Sequence, residues 1–117
     1  MTAVRYRPPL RDIGFALENA ANLPDLLKLD AYSHADRQTV EMILGECGRF
    51  AAEVLAPLDR AGDRAGCAFD SLTGDVRMPE GWRRAYRSLV HGGWGTAHLS
   101  PEYGGGGFPF LVGAAIQ

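Results

Sequence analysis

The sequence predicts an all-α fold of about four or five helices, with a short hairpin or an irregular insert near residues 68–78. Three observations support this prediction. Apolar residues recur at spacings of three and four over about residues 36–59, a second such stripe begins at Trp82, and the segment from Phe108 onward is apolar on nearly every side. These spacings place apolar side chains on one face of a helix.

Two short helices are predicted before the longest one. The first begins after the Pro8-Pro9 pair, which cannot lie inside a helix, and ends near Asn22. The second opens at Pro24, because the missing N–H of proline costs nothing at the first helical position. Its expected buried face consists of three leucines, Leu26, Leu27 and Leu29.

The longest helix is predicted from about Asp36 to Asp59. Either Ser33 or Asp36 can cap its N-terminus by accepting a hydrogen bond from a backbone N–H. Pro57 lies near its end, and proline in a helix interior removes one hydrogen bond and clashes with the preceding turn. We therefore expect the helix to bend or fray at Pro57.

Glycines mark where the next elements are predicted to end. Gly62 and Gly66, four residues apart, indicate a helix end that runs into a loop. Residues 68–78 contain a Thr-Gly-Asp turn between apolar residues, which suits a small hairpin or an irregular loop. A further helix opens near Pro79 and ends at Gly92-Gly93, and its expected apolar face consists of Trp82, Ala85, Tyr86, Leu89 and Val90.

The glycine run Gly104–Gly107 lies between this helix and the apolar C-terminal segment. It fits neither of the two common glycine-rich phosphate-binding patterns, because Pro109 and Phe110 occupy positions that those patterns need. A structural turn is therefore the preferred interpretation. The helix that follows is apolar on nearly all sides, and such helices are normally buried on every side. No later segment of this sequence could cover it, so we expect the chain to be the front part of a larger protein.

Composition excludes several classes of function. The net charge of −2 is spread along the chain, which argues against nucleic acid as a partner. No apolar run approaches the ~20 residues of a membrane span, and no secretory signal is recognisable. Cys47 and Cys67 lack a CxxC partner, so two reduced thiols in the cytoplasm are preferred over a disulfide. The histidines lack metal-ligand spacing, and no residue is a persuasive catalyst on chemical grounds.

Several segments, taken in chain order, resemble the acyl-CoA dehydrogenases. The most specific is the block Pro-Glu-Tyr-Gly-Gly-x-Gly at residues 101–107. The opening Tyr6-x-x-Pro9-Leu10-Arg11 resembles an N-terminal extension found in one subgroup, which includes the 3-methylmercaptopropionyl-CoA dehydrogenases. The other matching segments are residues 50–58, residues 62–67, Pro79-Glu80-Gly81-Trp82, Ala85-Tyr86 and Gly92-Gly93-Trp94.

The resemblance implies a fold and a reaction. Family members have an N-terminal helical domain, a middle β-domain and a C-terminal helical domain, and they bind FAD non-covalently. A glutamate removes the α-proton of an acyl-CoA, the β-hydrogen leaves as hydride to the flavin, and the electrons pass to an electron-transferring flavoprotein. By this resemblance, residues 1–32 are the extension and residues 33–117 a truncated N-terminal helical domain, and the full-length enzyme is expected to be a homo-oligomer.

The resemblance also implies a role for the C-terminal segment, because the corresponding helix of the family borders the acyl chain. The catalytic glutamate lies outside this chain, FAD is not expected to be held by this chain alone, and the isolated chain is expected to be inactive. The alternative is a separately encoded helical module that binds a partner through its apolar last helix. The expected substrate-binding residues are Tyr103, Gly104, Gly105, Phe110, Leu111 and Ala114, although ordinary core packing is preferred for the last three.

Overall fold

A computed structural model describes residues 5–117 of the chain. Helical residues, the 3-10 and π turns included, make up 61% of these described residues, which contain one two-stranded antiparallel sheet, so the predicted all-α fold with a hairpin insert is confirmed. Short 3-10 turns lie at Asp30–Tyr32, Trp94–Thr96 and Pro101–Tyr103. The α-helices and strands are α1 (Leu10–Asn19), α2 (Leu23–Leu26), α3 (Arg37–Phe50), α4 (Ala56–Ala65), β1 (Ala68–Phe69), β2 (Val76–Arg77), α5 (Trp82–His91) and α6 (Phe110–Ile116).

Helices α3 and α4 form one long helix, joined by a π-helical turn at Ala51–Leu55. Asp36 caps its N-terminus, since a side-chain oxygen accepts a hydrogen bond from the Thr39 N–H at 2.7 Å. Pro57 falls in the first turn of α4, just after the π turn. The wider π turn accommodates the proline ring and its missing N–H. The helix therefore continues to Ala65, and its predicted end near Asp59 is wrong.

Residues 59–62 and 63–66 both read Asp-Arg-Ala-Gly, and the glycines of the two copies have different roles. Gly66 has a φ of 63° and terminates α4, as the sequence predicts. Gly62 lies inside the helix, and a Cβ at that position would overlap the indole of Trp82. Gly62 therefore permits close packing against α5 and does not mark the helix end.

The core lies where α1, α2, α3 and α6 meet. In α2 the buried leucine is Leu23, whereas Leu29 is exposed, so the predicted face of this helix is partly wrong. Helix α2 has a single turn, and the side chain just before Pro24 is the one that points inward. The fully packed cluster consists of Leu17, Leu23, Val40, Leu44 and Val112.

The residues that precede α1 lie along α3. The Pro8 ring stands 2.7 Å from the place that a Cβ on Gly48 would occupy. Leu17 and Leu23 share the core cluster with Val40. The described part of the predicted extension, residues 5–32, thus packs onto the following helices, while its residues 1–4 lie outside the described residues.

The stripe predicted for α5 forms, but most of it is not buried. Ala85 is buried, whereas Trp82, Tyr86 and Val90 are exposed. Periodicity identifies the apolar face of a helix, but burial requires a neighbour that covers this face. In this chain α5 packs against α4 near Gly62 and leaves the rest of its apolar face open.

The molecule is flat, with extents of 54 × 41 × 20 Å. Its smallest dimension is that of two helices side by side, at ~10 Å each. The radius of gyration is 17.4 Å, against about 13 Å for a compact domain of this length. The accessible surface is 8945 Å², against roughly 6,200 Å² for a compact protein of this mass. Many large apolar side chains remain exposed, among them Phe15, Leu72, Tyr86, Tyr103 and Phe110.

Candidate functional site

The glycine-rich loop joins the 3-10 turn at Pro101–Tyr103 to α6. Ser100 caps that turn by accepting a hydrogen bond from the Glu102 N–H at 3.3 Å. Gly104 and Gly107 have φ values of 82° and 65°, a region that disfavours side chains with a Cβ. These glycines are required by the path of the backbone.

The backbone amides of the loop all bond within the protein. Five successive N–H groups, those of residues 104–108, donate to carbonyl oxygens at 2.9–3.2 Å. The acceptors are the carbonyls of Thr96, Ala97, Leu99, Ser100 and Pro101. Binding of a phosphate at a loop needs free N–H groups that converge on the anion. The loop therefore acts as a structural turn, as the sequence predicts, and does not fit a diphosphate.

The loop folds back tightly over residues 96–99. A Cβ on Gly105 would overlap the carbonyl of Leu99. On its other side, His34 Nε2 lies 3.1 Å from the Gly106 carbonyl oxygen, and the His34 ring meets Phe108 edge-on at 5.4 Å. The turn that precedes α3 and the glycine-rich loop thus hold each other in place, next to the residues where α6 begins.

Helix α6 has one buried side and one open side. Pro109 and Val112 are fully buried, and Val112 has no accessible surface. Phe110 is 70% exposed, and Ala114, one turn later, is also exposed. The ring of His98 packs edge-on against Phe110 at a centroid distance of 5.3 Å. The sequence predicts that helix α6 is buried on all sides. Within the described residues, the side that carries Phe110 and Ala114 remains exposed.

The structure divides the six predicted substrate-binding residues into two groups. Leu111 is half-buried and packs on the core, and Gly105 is half-buried within the loop. The exposed members are Tyr103, Gly104, Phe110 and Ala114. Core packing, which the sequence analysis preferred for three of these residues, thus holds for Leu111 but not for Phe110 or Ala114.

Another candidate site is an apolar groove, which we call the α4–α5 groove and whose lining does not include the glycine-rich loop. Its volume is about 750 Å³, and it runs between the π turn, α4, α5 and the end of α6. Periodicity predicts the apolar faces of these helices but not that they meet, because no local signal pairs helices that are distant in sequence. The groove is lined mainly by Leu55, Leu58, Trp82, Ala85, Tyr86 and Leu89.

A second groove of about 540 Å³ lies between α1, α2 and α3. At its rim Arg37 pairs with Glu18 at 2.7 Å and with Glu41 at 2.9 Å. All three side chains face solvent to some degree, and exposed pairs of this kind add little stability. This groove offers charge at its rim but no group poised for proton transfer.

The titratable groups with displaced pKa values have local causes. The hydrogen bond with Thr39 lowers the pKa of Asp36, and the hydrogen bond with Lys28 lowers that of Asp25. Burial raises the pKa of the Cys47 thiol, whose Sγ lies 3.8 Å from the Ile116 carbonyl oxygen. Within residues 5–117, no three His, Cys, Asp or Glu side chains gather as metal ligands. In the same range, no helix is long and apolar enough to cross a membrane.

The chain is similar to a short segment of two larger proteins. It is 39% identical over 110 residues to the 3-methylmercaptopropionyl-CoA dehydrogenase of Ruegeria pomeroyi, a match that covers 94% of this chain and 18% of that protein. It is 28% identical over 112 residues to the broad-specificity linear acyl-CoA dehydrogenase FadE5 of Mycobacterium tuberculosis, covering 96% of this chain and 18% of that protein. No model of a known protein family matches the chain.

Both relatives match nearly the whole chain, and the chain spans about a fifth of the length of each. The helical fold with its hairpin agrees with a match to a small helical part of a larger enzyme. The resemblance predicted from the sequence is thereby confirmed: the chain is a homologue of a short part of the acyl-CoA dehydrogenases.

Proposed function

We propose that the chain is the N-terminal helical segment of an FAD-dependent acyl-CoA dehydrogenase and forms one wall of its acyl and flavin pocket. The observation that carries this proposal is the 39% identity to an acyl-CoA dehydrogenase over 94% of the chain. In this proposal residues 1–32 are an extension that packs on the helical domain of residues 33–117. The complete protein is a cytoplasmic homo-oligomer that passes electrons to an electron-transferring flavoprotein.

The proposed wall is the open side of α6 together with Tyr103, which ends the 3-10 turn just before the glycine-rich loop. Phe110 and Ala114 are one helical turn apart and exposed, and Tyr103 is 78% exposed. An acyl chain is apolar and gains most from contact with an apolar surface that excludes water. The buried side of the same helix, at Val112, holds this surface in position.

FAD in the complete protein would supply the acceptor for the hydride. The described loop does not fit the diphosphate of FAD, because its amides are already bonded to carbonyls. The carboxylates with displaced pKa values, Asp25 and Asp36, are exposed and serve local pairs or caps. The contribution of this chain is therefore an apolar, water-excluding surface, and we expect no turnover from the isolated chain.

A chimera tests this function. In it, this chain replaces the matching segment of the Ruegeria pomeroyi relative. We expect the chimera to retain bound flavin and to reduce a dye in the presence of an acyl-CoA, while the isolated chain does neither. Within the chimera, Phe110→Ala should raise KM for the acyl-CoA with little change in flavin content. Leu72→Ser, at the exposed hairpin tip, is the matched control and should leave both unchanged.

Two outcomes would overturn the proposal. One is a folded chimera that binds no flavin, and the other is dye reduction that depends on acyl-CoA in the isolated chain. If Phe110→Ala changed neither KM nor kcat in an active chimera, the wall would be elsewhere, although the family assignment would stand.

A stand-alone interaction module is the second candidate, favoured by the open apolar surface of the flat molecule. Large exposed apolar patches mark interaction sites. This candidate predicts that the isolated chain forms a defined dimer or a complex with another protein that covers α6. The first candidate predicts that the same surface is covered by further domains of one polypeptide.

A further inference from the structure

The hairpin brings two sulfur atoms together at its open end. The Cys67 thiol donates to the Met78 thioether, with a distance of 3.6 Å between Sγ and Sδ. Both side chains are exposed, and Cys67 is a free thiol. Neither residue belongs to the proposed acyl wall or to the core. We propose that this pair is a binding site for a soft monovalent metal ion, of which Cu(I) is the biological example.

The register of the hairpin positions the pair. Ala68 pairs with Arg77 and Phe69 with Val76, so Cys67 and Met78 are the next opposed positions outward. Opposed side chains of an antiparallel pair lie on the same face and close together. The register of the hairpin therefore places the two sulfur atoms next to each other across the strands.

The turn at the other end is fixed by its own hydrogen bonds. An Asp70 side-chain oxygen accepts from the Leu72 N–H at 2.9 Å and from the Thr73 N–H at 3.4 Å. Thr73 Oγ1 accepts from the Asp75 N–H at 3.2 Å, and the Asp70 N–H donates to the Asp75 carbonyl at 2.9 Å. These bonds keep the strands in register, which preserves the sulfur pair without support from the core.

The donor set selects the class of metal. Thiolate and thioether are soft ligands that favour Cu(I), whereas Mg²⁺ and Ca²⁺ require oxygen ligands. A structural zinc site needs four ligands, and no cluster of three His, Cys, Asp or Glu side chains exists among residues 5–117. Two soft donors suit a cation that accepts low coordination.

Binding involves no change of oxidation state. The S–H bond of Cys67 breaks, its proton leaves to solvent, and the sulfur forms a bond to Cu(I), while Met78 Sδ adds a neutral lone pair. Because the metal displaces a proton, the apparent affinity falls as the pH is lowered. The two sulfur atoms, which lie 3.6 Å apart, would both contact a metal ion bound between them.

Competition for Cu(I) tests the site. The full 117-residue chain is titrated without oxygen against the Cu(I)–bicinchoninate complex, with ascorbate as the reductant. We expect the wild-type chain to withdraw a single equivalent of copper. Cys67→Ser should abolish the withdrawal, and Met78→Leu should weaken it by about tenfold or more, because one of two metal–sulfur bonds is lost. Cys47→Ser, at the other cysteine, is the control and should bind as the wild type does.

X-ray absorption and native mass spectrometry complete the test. The proposal requires two sulfur neighbours per copper in the wild type and a single chain per copper. It is wrong if the chain withdraws no copper, if Met78→Leu binds as tightly as the wild type, or if copper joins two chains through their thiols. Met78→Leu keeps the size and apolar character of an exposed side chain, so it tests the ligand without disturbing the fold.

Discussion

Gly62 of α4 lies against the indole ring of Trp82 at the start of α5, so closely that a Cβ at Gly62 would overlap the ring. This contact joins the long helix to the second half of the chain. It also sets one end of the α4–α5 groove, since Trp82 is among the lining residues. Glycine at this position has a packing role, although it lies inside a helix where it weakens the backbone.

Gly62→Ala should therefore destabilise the protein, because the added methyl group forces the indole or the helix to move. We expect a loss of roughly 1–3 kcal/mol in the free energy of unfolding. Gly45→Ala is the matched control, since Gly45 also lies inside a helix and a Cβ there would meet nothing within 4 Å. It should stabilise the protein by up to ~1 kcal/mol. Urea unfolding followed by circular dichroism measures both, and equal effects would contradict this account.

Asp36 gives a prediction about pH. Its hydrogen bond with the Thr39 N–H lowers its pKa below the ordinary value of 3.8. A lowered carboxyl pKa stabilises the folded state above the pKa of the unfolded chain, and this contribution is lost as the pH falls through the folded pKa. Asp36→Asn keeps a capping oxygen but does not titrate. The melting temperature of the wild type should thus fall relative to that of Asp36→Asn as the pH is lowered below the ordinary carboxyl pKa of 3.8. A constant difference would show that the cap carries no charge effect.

The two cysteines should react at different rates. Burial raises the pKa of the Cys47 thiol, and its Sγ contacts the Ile116 carbonyl oxygen, whereas Cys67 is exposed. The thiolate is the reactive form, so iodoacetamide should modify Cys67 well before Cys47 at neutral pH. Peptide mass spectrometry over time measures both rates, with the urea-unfolded chain as the control in which they converge. Equal rates in the folded chain would mean that α6 does not cover Cys47.

Val112 and Phe110 lie in the same helix, but we expect Val112 to contribute to stability and Phe110 to substrate binding. Val112 is fully buried and Phe110 is mostly exposed. Val112→Ala should cost roughly 2 kcal/mol of unfolding free energy, because it leaves a cavity in the core. Phe110→Ala should change stability by no more than about 0.5 kcal/mol. Thermal unfolding of both variants checks this, and a large loss from Phe110→Ala would assign that side chain to the core.

Local signals predicted the elements of the fold. The cap at Asp36, the left-handed glycine at Gly66 and the turn between β1 and β2 are each determined by neighbouring residues, and all three appear in the structure. Local signals did not predict the features that depend on packing between elements distant in sequence. The π turn lets the helix pass Pro57, and α5 buries Ala85 alone of its apolar face, because that outcome depends on which helices lie beside it.

The candidate site was less predictable than the fold. The glycine pattern identified the turn at Gly104 and Gly107, since a positive φ requires glycine. Periodicity could not distinguish the exposed Phe110 from the buried Val112, because α6 is apolar on every side. The Cys67–Met78 pair could not be predicted, because it depends on the register of the hairpin, and the sequence alone does not distinguish a hairpin from an irregular loop here.

The most direct test of the central claim is the mass of the native gene product in its own cells, together with its flavin absorbance. This account predicts a polypeptide far heavier than the 12.6 kDa of the chain, with flavin absorbance in the same fraction. A native product of 12.6 kDa without flavin would contradict the proposed role in an acyl-CoA dehydrogenase.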